Sequence, residues 1–598
     1  MMASLLLGLT LLWPLLLMLR NPLWLVMEHG ALQRPGPRPM LLDAWWVTAP
    51  VPALLLTLWP GEVQLQMQGW LLGAQWQLDD TRRPWLLFSA MLWALAGLYA
   101  RGYLVTEQQA AESGDGDAFR RLLGFAMLWP LTLVGNLLLI LAEDIPSFYL
   151  GFALMTFAAY GLVVHAGNRD AHLGGRAYLI MAVLGEGMIL GGLLWAAGTV
   201  QVLTLTELRA GLATAEQGAW MATLLWLGFG VKAGVIGLHV WLPLAHPVAP
   251  TPASAVLSGV MIKAGLIGWL NTLPLGADGL ETLGAVVIVL GLAAALGAAG
   301  YGVSQRHPKA VLAYSSVSQM GMITALVGAG MAAPVLWPAL LVAVTLFAVH
   351  HGLTKGALFL GVGISEHPPR LPAWLLWVLL ALPALSLAGV MTSGLATKWA
   401  FKELLYEGGY ATLVAWLSVA AVGTTLLMFR ALWRQWQERG VYSIPIASSM
   451  PLAWLACVVA AVSVPLWIPL AGEHPNWPPL DEWPGLLWPA SLGLVLAGLV
   501  ALVTLRANRS WQFAKRLMPG DLWWGYLRLV RQALAWLHGL GLALEQRGSR
   551  WRSRLLEWES RATALASGLT RFERTFRRLA VPLMVGVAVL LLMGFWLG

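Results

Sequence analysis

Apolar runs of 18 residues or more recur along this 598-residue chain, separated by short polar or proline-rich connections. Each run is long enough to cross a hydrocarbon core of roughly 30 Å. The runs are rich in Leu, Ala, Gly and Trp and lack the period-two alternation of a membrane β-barrel strand. Helices are the open-ended structure whose backbone is satisfied in lipid. The pattern predicts an all-α polytopic membrane protein of about sixteen spans. They begin near residues 3, 41, 84, 121, 145, 176, 217, 251, 280, 307, 334, 371, 410, 449, 485 and 579. Two stretches depart from it. Val63 to Leu78 alternates polar and apolar residues and predicts a short hairpin outside the membrane, and residues 510–577 are too charged to span.

The first apolar run, Ala3 to Leu19, has no basic residue before it and no small-residue cleavage site before Arg20. It is read as the first span and not as a signal peptide. The connection His29 to Met40, with Pro35, Pro37 and Pro39, is expected to be a rigid turn. Lys and Arg favour cytoplasmic loops. Arg20, Arg34 and Arg38 follow span 1, Arg306 and Lys309 follow span 9, and Arg430, Arg434 and Arg439 follow span 13. Odd-numbered exits are therefore expected on the cytoplasmic side of a bacterial inner membrane, with both termini outward.

Composition agrees with the pattern: 58% of residues are hydrophobic and 11% charged, against about 25% charged in soluble proteins. The net charge of +8 is localised. From Arg506 to Arg578 there are 15 Arg or Lys and 5 Asp or Glu, so the rest of the chain carries 8 − 10 = −2. A basic cluster beside a membrane meets anionic lipid head groups, and no nucleic-acid partner is expected. Trp523, Trp524, Trp536, Trp551 and Trp558 lie among those arginines, the pattern of a lateral amphipathic helix. The single cysteine, Cys457, can form neither an internal disulfide nor a thiolate cluster. No cofactor or metal site is expected, and any electron transfer would belong to a partner.

Lysine changes the picture most. Of 37 basic residues only seven are lysines, and Lys232, Lys263, Lys355 and Lys398 lie within apolar segments or at their breaks. An ionisable residue in the bilayer costs about 2.5–3.5 kcal/mol on insertion scales. A desolvated lysine can release its proton, whereas arginine does not. After Lys232 come His239, Pro243, His246, Pro247, Pro250 and Pro252. Prolines after His246 cannot continue a helix, and broken helices near the midplane are where transporters bind ions. His239 and His246 could relay protons near neutral pH. A second break is expected in Gly389-Val-Met-Thr-Ser-Gly394, just before Lys398. Between the breaks lie His350, His351 and Lys355, the last two sharing a helical face. Two interrupted lysine spans, five spans apart, suggest two inverted five-helix repeats.

Several stretches resemble the antiporter-like proton-conducting membrane subunits. That family comprises large membrane-arm subunits of respiratory complex I, Mrp-type antiporters and membrane subunits of group 4 hydrogenases. The stretches are Lys232 to Gly268, Lys309 to Gly321, His351 to Leu360 and Gly394 to Lys398, with Trp241-Leu-Pro-Leu-Ala-His-Pro247 nearest the hydrogenase-4 branch. The resemblance covers about residues 120–405 and implies the family's fourteen-to-sixteen-helix fold. It makes Lys232 the lysine of a first half-channel, Lys263 that of the central axis, His351 and Lys355 the link, and Lys398 the lysine of a second half-channel. The implied division is 1–120 (spans 1–3), 121–275 and 276–436 (the two half-channel repeats), 437–509 (accessory spans), 510–577 (the lateral segment) and 578–598 (the last span).

One position departs from the family. Its fifth-helix glutamate, which modulates the first lysine, corresponds to Ala153 here, while span 6 carries an unexplained Glu186. Glu186 is therefore the candidate partner of Lys232. The family's Gly-X-Pro before the second break is here Gly389-Val-Met391. These residues imply a proton-translocating subunit of a complex I-like or hydrogenase-like assembly, with other membrane subunits as partners. The alternatives are a monovalent cation/proton antiporter subunit carrying Na+, the membrane partner of an ion-driven inorganic-carbon uptake complex, and a scaffold that no longer conducts.

Overall fold

A computed structural model of the chain describes residues 2–30, 41–440, 449–470, 477–506 and 520–545. They fall in two compact units, one holding the described residues up to 506 and the other residues 520–545. The first unit opens with α1 (Met2–Gly30). The span expected from residue 41 is two short helices, α2 (Ala44–Val47) and α3 (Val51–Thr57). Asp43 caps α2 by accepting the Trp46 N–H at 2.9 Å. Pro50 has no N–H with which to carry one helix into the next. Residues 44–57 would extend about 21 Å as one regular helix, short of a full crossing.

The expected hairpin is present: β1 (Val63–Met67) pairs antiparallel with β2 (Ala74–Leu78), Val63 opposite Leu78. Next come α4 (Arg83–Tyr103), α5 (Val105–Glu112), α6 (Gly116–Leu141), α7 (Ile145–Val163), α8 (Arg169–Val200) and α9 (Leu205–Thr214). The span after them is broken into α10 (Gly218–Ala233) and α11 (Trp241–Val248). A π-helical turn, Leu257–Met261, interrupts the following span between α12 (Thr251–Val256) and α13 (Lys263–Thr272). Then follow α14 (Glu281–Gly302), α15 (Pro308–Ala332) and α16 (Trp337–Glu366). The second broken span is α17 (Ala373–Ala388) with α18 (Thr392–Glu407). The unit continues with α19 (Ala411–Gln437), α20 (Ser449–Val462) and α21 (Trp483–Arg506).

Among the described residues, 12 helical stretches are long and apolar enough to cross a membrane, and Ala44–Thr57 and Ser449–Val462 are shorter. A helix begins close to every expected start from residue 3 to residue 485. The largest offset is in span 6, which starts at Arg169. The start expected at 579 and the turn at 31–40 lie outside the described residues. In the second unit the described segment is one helix, α22 (Asp521–Glu545), where the lateral amphipathic segment was expected; residues 546–577 of that segment are likewise outside.

Connections gather on two faces. On one, the Glu143 N–H donates to the Gln75 carbonyl at 2.8 Å, the Leu205 N–H to the Glu143 carbonyl at 2.7 Å, and Arg209 to the Leu270 carbonyl at 3.1 Å. The hairpin and the exits of spans 4, 6 and 8 thereby meet, and an ion pair between Arg82 and Glu143 reinforces them. On the other, Lys309 donates to the Ala249 carbonyl at 2.9 Å, Arg430 to the Gln305 carbonyl at 2.9 Å, and the Gly440 N–H to the Ser365 carbonyl at 3.1 Å. Among the described residues, the exits of spans 2, 4, 6 and 8 thus gather together, and those of spans 7, 9, 11 and 13 gather separately. In the core α14 and α15 approach backbone to backbone. A Cβ on Gly291 would lie 2.6 Å from the Ala325 nitrogen, so only small residues fit this seam.

Candidate functional site

Lys232 occupies the last turn of α10, which Gly234 ends at φ +81°. In lipid a helix end leaves carbonyls to be satisfied by other groups, and the Trp241 indole takes one of them, donating to the Val231 carbonyl at 2.8 Å. The Lys232 ammonium donates to the Tyr178 hydroxyl at 2.9 Å, and that hydroxyl donates to the Thr156 carbonyl at 2.8 Å. The rings of Tyr178 and Trp241 stand 5.0 and 5.6 Å from the ammonium, within cation–π range.

Glu186 faces the same small cavity. Its walls include Phe152 and Thr156 of α7, Tyr178, Gly185 and Glu186 of α8, Lys232, and Trp241. The cavity offers about 20 Å³ to a water-sized sphere, enough for one water. Glu186 is 4% exposed, and neither its carboxylate oxygens nor the Thr156 hydroxyl has a hydrogen-bond partner of ordinary geometry. Carboxylate and ammonium thus share one cavity without a direct hydrogen bond. Ala153 is half-buried on α7 and not among the lining residues; Phe152 and Thr156 hold the face that a carboxylate from this helix would need.

The other sites form a row. Lys263 follows the π turn and donates to the Ser258 carbonyl at 2.8 Å, and Lys355 of α16 donates to the Leu312 carbonyl at 2.9 Å. His351, fully buried, has no hydrogen-bond partner on either ring nitrogen and feels the charges of Lys263 and Lys355. His350 pairs with the Ser386 hydroxyl at 3.0 Å and feels Lys398. Lys398, one turn and more into α18, reaches back to the Ala388 carbonyl at the end of α17. A carbonyl there carries the negative end of the helix dipole. From Lys263 to Lys398 each member lies within electrostatic reach of the next. His239, in the break after Lys232, packs toward Tyr314 of α15, with ring centroids 6.5 Å apart. His246 is fully buried, stacks on Phe359 at 4.6 Å and lies within reach of Lys309 and Lys355.

Sequence reasoning missed Tyr178 and Lys309. Tyr178, Ala182, Gly185 and Glu186 follow the spacing of one helical face, the signal that could have found the tyrosine.

The first unit is thus a bundle of apolar helices with two broken spans, each presenting a buried lysine. Residues 142–424 match the family model "NADH:quinone oxidoreductase/Mrp antiporter, TM". Hydrogenase-4 component B of Escherichia coli (strain K12) is 30% identical over 295 residues, covering 48% of this chain and 42% of that one. A Na(+)/H(+) antiporter subunit A1 of Staphylococcus haemolyticus is 27% identical over 403 residues, covering 61% of this chain and 48% of that one. The chain therefore spans less than half the length of these two relatives. A chain in the structure of the Mrp complex from Dietzia sp. DQ12-45-1b shares the fold, with a TM-score of 0.63 at 19% identity over 82% of this chain and 100% of that one. Residues 142–424, just under half of the chain, are thus similar to the antiporter-like membrane subunits.

Proposed function

We propose that the chain is a proton-translocating subunit of a multisubunit energy-converting membrane complex. Protons move through Lys232, Lys263, His351, Lys355 and Lys398, with His239, His246 and His350 beside the row. The observation that carries this reading is the partnering of the lysines. Lys263, Lys355 and Lys398 are buried against backbone carbonyls, which accept a hydrogen bond from an ammonium or a neutral amine alike. A lysine present only to hold helices together would be expected to face a carboxylate. Of these four lysines Lys232 is set beside a carboxylate, and the two line one hydratable cavity. Glu186 takes the part of the family's fifth-helix glutamate: near the ammonium it favours the charged form, and moving it away releases the proton.

The hydrogenase-4 relative supports an energy-converting complex as the setting, with its other membrane subunits as partners. The Na(+)/H(+) antiporter relatives favour a second reading, exchange of H+ for Na+ through the same residues. The separate gathering of even and odd exits is compatible with Lys/Arg-rich odd exits on the cytoplasmic side of an inner membrane, outward termini, and two half-channel repeats at 121–275 and 276–436. The segment 510–577 is then a cytoplasmic lateral helix on anionic lipid.

The test is proton uptake by proteoliposomes holding the native membrane assembly, purified through a tag on this chain. Lys232→Ala and Lys398→Ala should each lower uptake about a hundredfold while leaving assembly intact. Wild-type uptake in both variants rejects the reading, and uptake that depends on Na+ selects the second.

A further inference from the structure

Two buried serines stand between Lys263 and Lys355, and nothing in the lysine row accounts for them. Ser258 lies in the π turn and Ser316 on α15, both fully buried. Their hydroxyls are 2.7 Å apart, and Ser316 also donates to the Leu312 carbonyl at 3.0 Å. That carbonyl accepts the Lys355 ammonium at 2.9 Å, so the two donors are at most about 6 Å apart, a gap one water bridges. On the other side Lys263 is tied to the backbone carbonyl of Ser258 itself at 2.8 Å.

We propose that Ser258 and Ser316 are the hydroxyl relay that passes a proton between Lys263 and Lys355, an assignment that rests on the proton-pathway reading above. Two like charges this close oppose each other, so one lysine is charged at a time and the proton must cross the gap. A backbone carbonyl cannot carry it, since it has no proton to hand on. A hydroxyl can, because it accepts one proton while releasing another. In the transfer one N–H bond breaks on the Lys263 ammonium and its proton passes, directly or through a water, to Ser258 Oγ. Ser258 releases its own proton to Ser316 Oγ, and Ser316 releases its proton through one water to the lone pair of Lys355 Nζ. One N–H bond is lost and one gained, and each serine ends with one proton. The π turn serves the same geometry, because its wider winding sets the Ser258 carbonyl against the ammonium of Lys263.

The experiment uses the same tagged native assembly in proteoliposomes, with proton uptake and its H2O/D2O ratio as readouts. Ser258→Ala and Ser316→Ala should each slow uptake about tenfold or more, and the double variant should be no slower than either alone. Ser258→Thr and Ser316→Thr keep the hydroxyl; Ser258→Val and Ser316→Val keep the threonine shape without it. The Thr variants should conduct and the Val variants should not, with matching melting temperatures. Equal uptake in the Thr and Val variants, or Ala variants within about twofold of wild type while Lys232→Ala and Lys398→Ala are inactive, overturns the relay alone. Wild-type uptake in those lysine variants overturns the relay together with the proton-pathway reading.

Discussion

Lys232 and Lys398 approach their helix breaks from opposite directions and are held by different chemistry. Lys232 ends the helix before its break and meets side chains: the Tyr178 hydroxyl, two aromatic rings and, across a cavity, the Glu186 carboxylate. Lys398 lies in the helix after its break and folds back onto the Ala388 carbonyl. Gly389 and Gly394 make that return possible, for a Cβ on Gly394 would fall 1.6 Å from the Ser386 oxygen. One lysine is thus hydrogen-bonded to a side chain and shares a cavity with a carboxylate. The other is held by a backbone carbonyl, with the basic groups His350 and Lys402 acting on it. In a transporter the first arrangement suits a switch, and the second suits a fixed station whose occupancy follows its neighbours.

The contrast predicts where a single charge matters most. Glu186→Gln keeps the shape of the first site and removes its charge, and it should slow proton uptake about tenfold or more. Restoring a carboxylate on α7 should recover part of the rate only where that helix faces the cavity. Thr156→Glu in the Glu186→Gln background should help, and Ala153→Glu should not, because Ala153 is off the cavity wall. Recovery by Ala153→Glu alone would mean that the family's position still reaches Lys232 and that Glu186 belongs elsewhere.

A glycine substitution separates the two breaks next. Gly234 and Gly389 have nearly the same backbone, at φ +81° and φ +80°, so alanine at either costs about 1–2 kcal/mol of left-handed strain. What the new methyl meets differs. At Gly234 it lies 2.8 Å from the end of Leu242, which can turn aside; at Gly389 it lies 2.4 Å from Lys398 Cδ. Gly389→Ala should therefore lower both the melting temperature and transport, while Gly234→Ala lowers the melting temperature with transport largely kept. Equal transport losses would show that the breaks respond to strain and not to displacement of the lysine.

The starts of the helices up to residue 485, the hairpin and both breaks were legible in the sequence because each rests on local chemistry: apolar length, period-two alternation, and proline or glycine beside lysine. Glu186 was legible as a charge with no local reason to be where it is. The second expected span is two short helices because Pro50 divides a stretch, from Trp45 and Trp46 to the leucines of α3, that looks continuous in hydropathy. Tyr178 was missed although its spacing to Glu186 marks one helical face, and Ser258 and Ser316 could not be singled out. Serines and tyrosines are inexpensive in a membrane helix, and what distinguishes these is which helix they face across a gap of many residues. The same holds for Ala153. A motif supplies its position along a helix, but whether that position looks into the cavity depends on the rotation of α7, which packing sets.

The smallest expected difference concerns the uncharged partners, and it tests whether the second site is as indifferent to side chains as its geometry implies. The Tyr178 hydroxyl touches the proton-bearing atom of the first site, accepting from Lys232 and donating to the Thr156 carbonyl. The Ser386 hydroxyl bonds His350, which in turn feels the charge of Lys398. Tyr178→Phe removes a hydrogen bond that one cavity water can partly replace, so a net loss of about 0.7 kcal/mol, or roughly threefold in rate, is expected. Ser386→Ala should cost less than about twofold, because the Ala388 carbonyl continues to hold Lys398. Initial uptake rates from pH 6 to pH 9 would resolve the two, and the profile of Tyr178→Phe should move while that of Ser386→Ala stays in place. A larger effect in Ser386→Ala would mean that His350 controls Lys398 as Glu186 is proposed to control Lys232, and that both half-channels are switched by side chains.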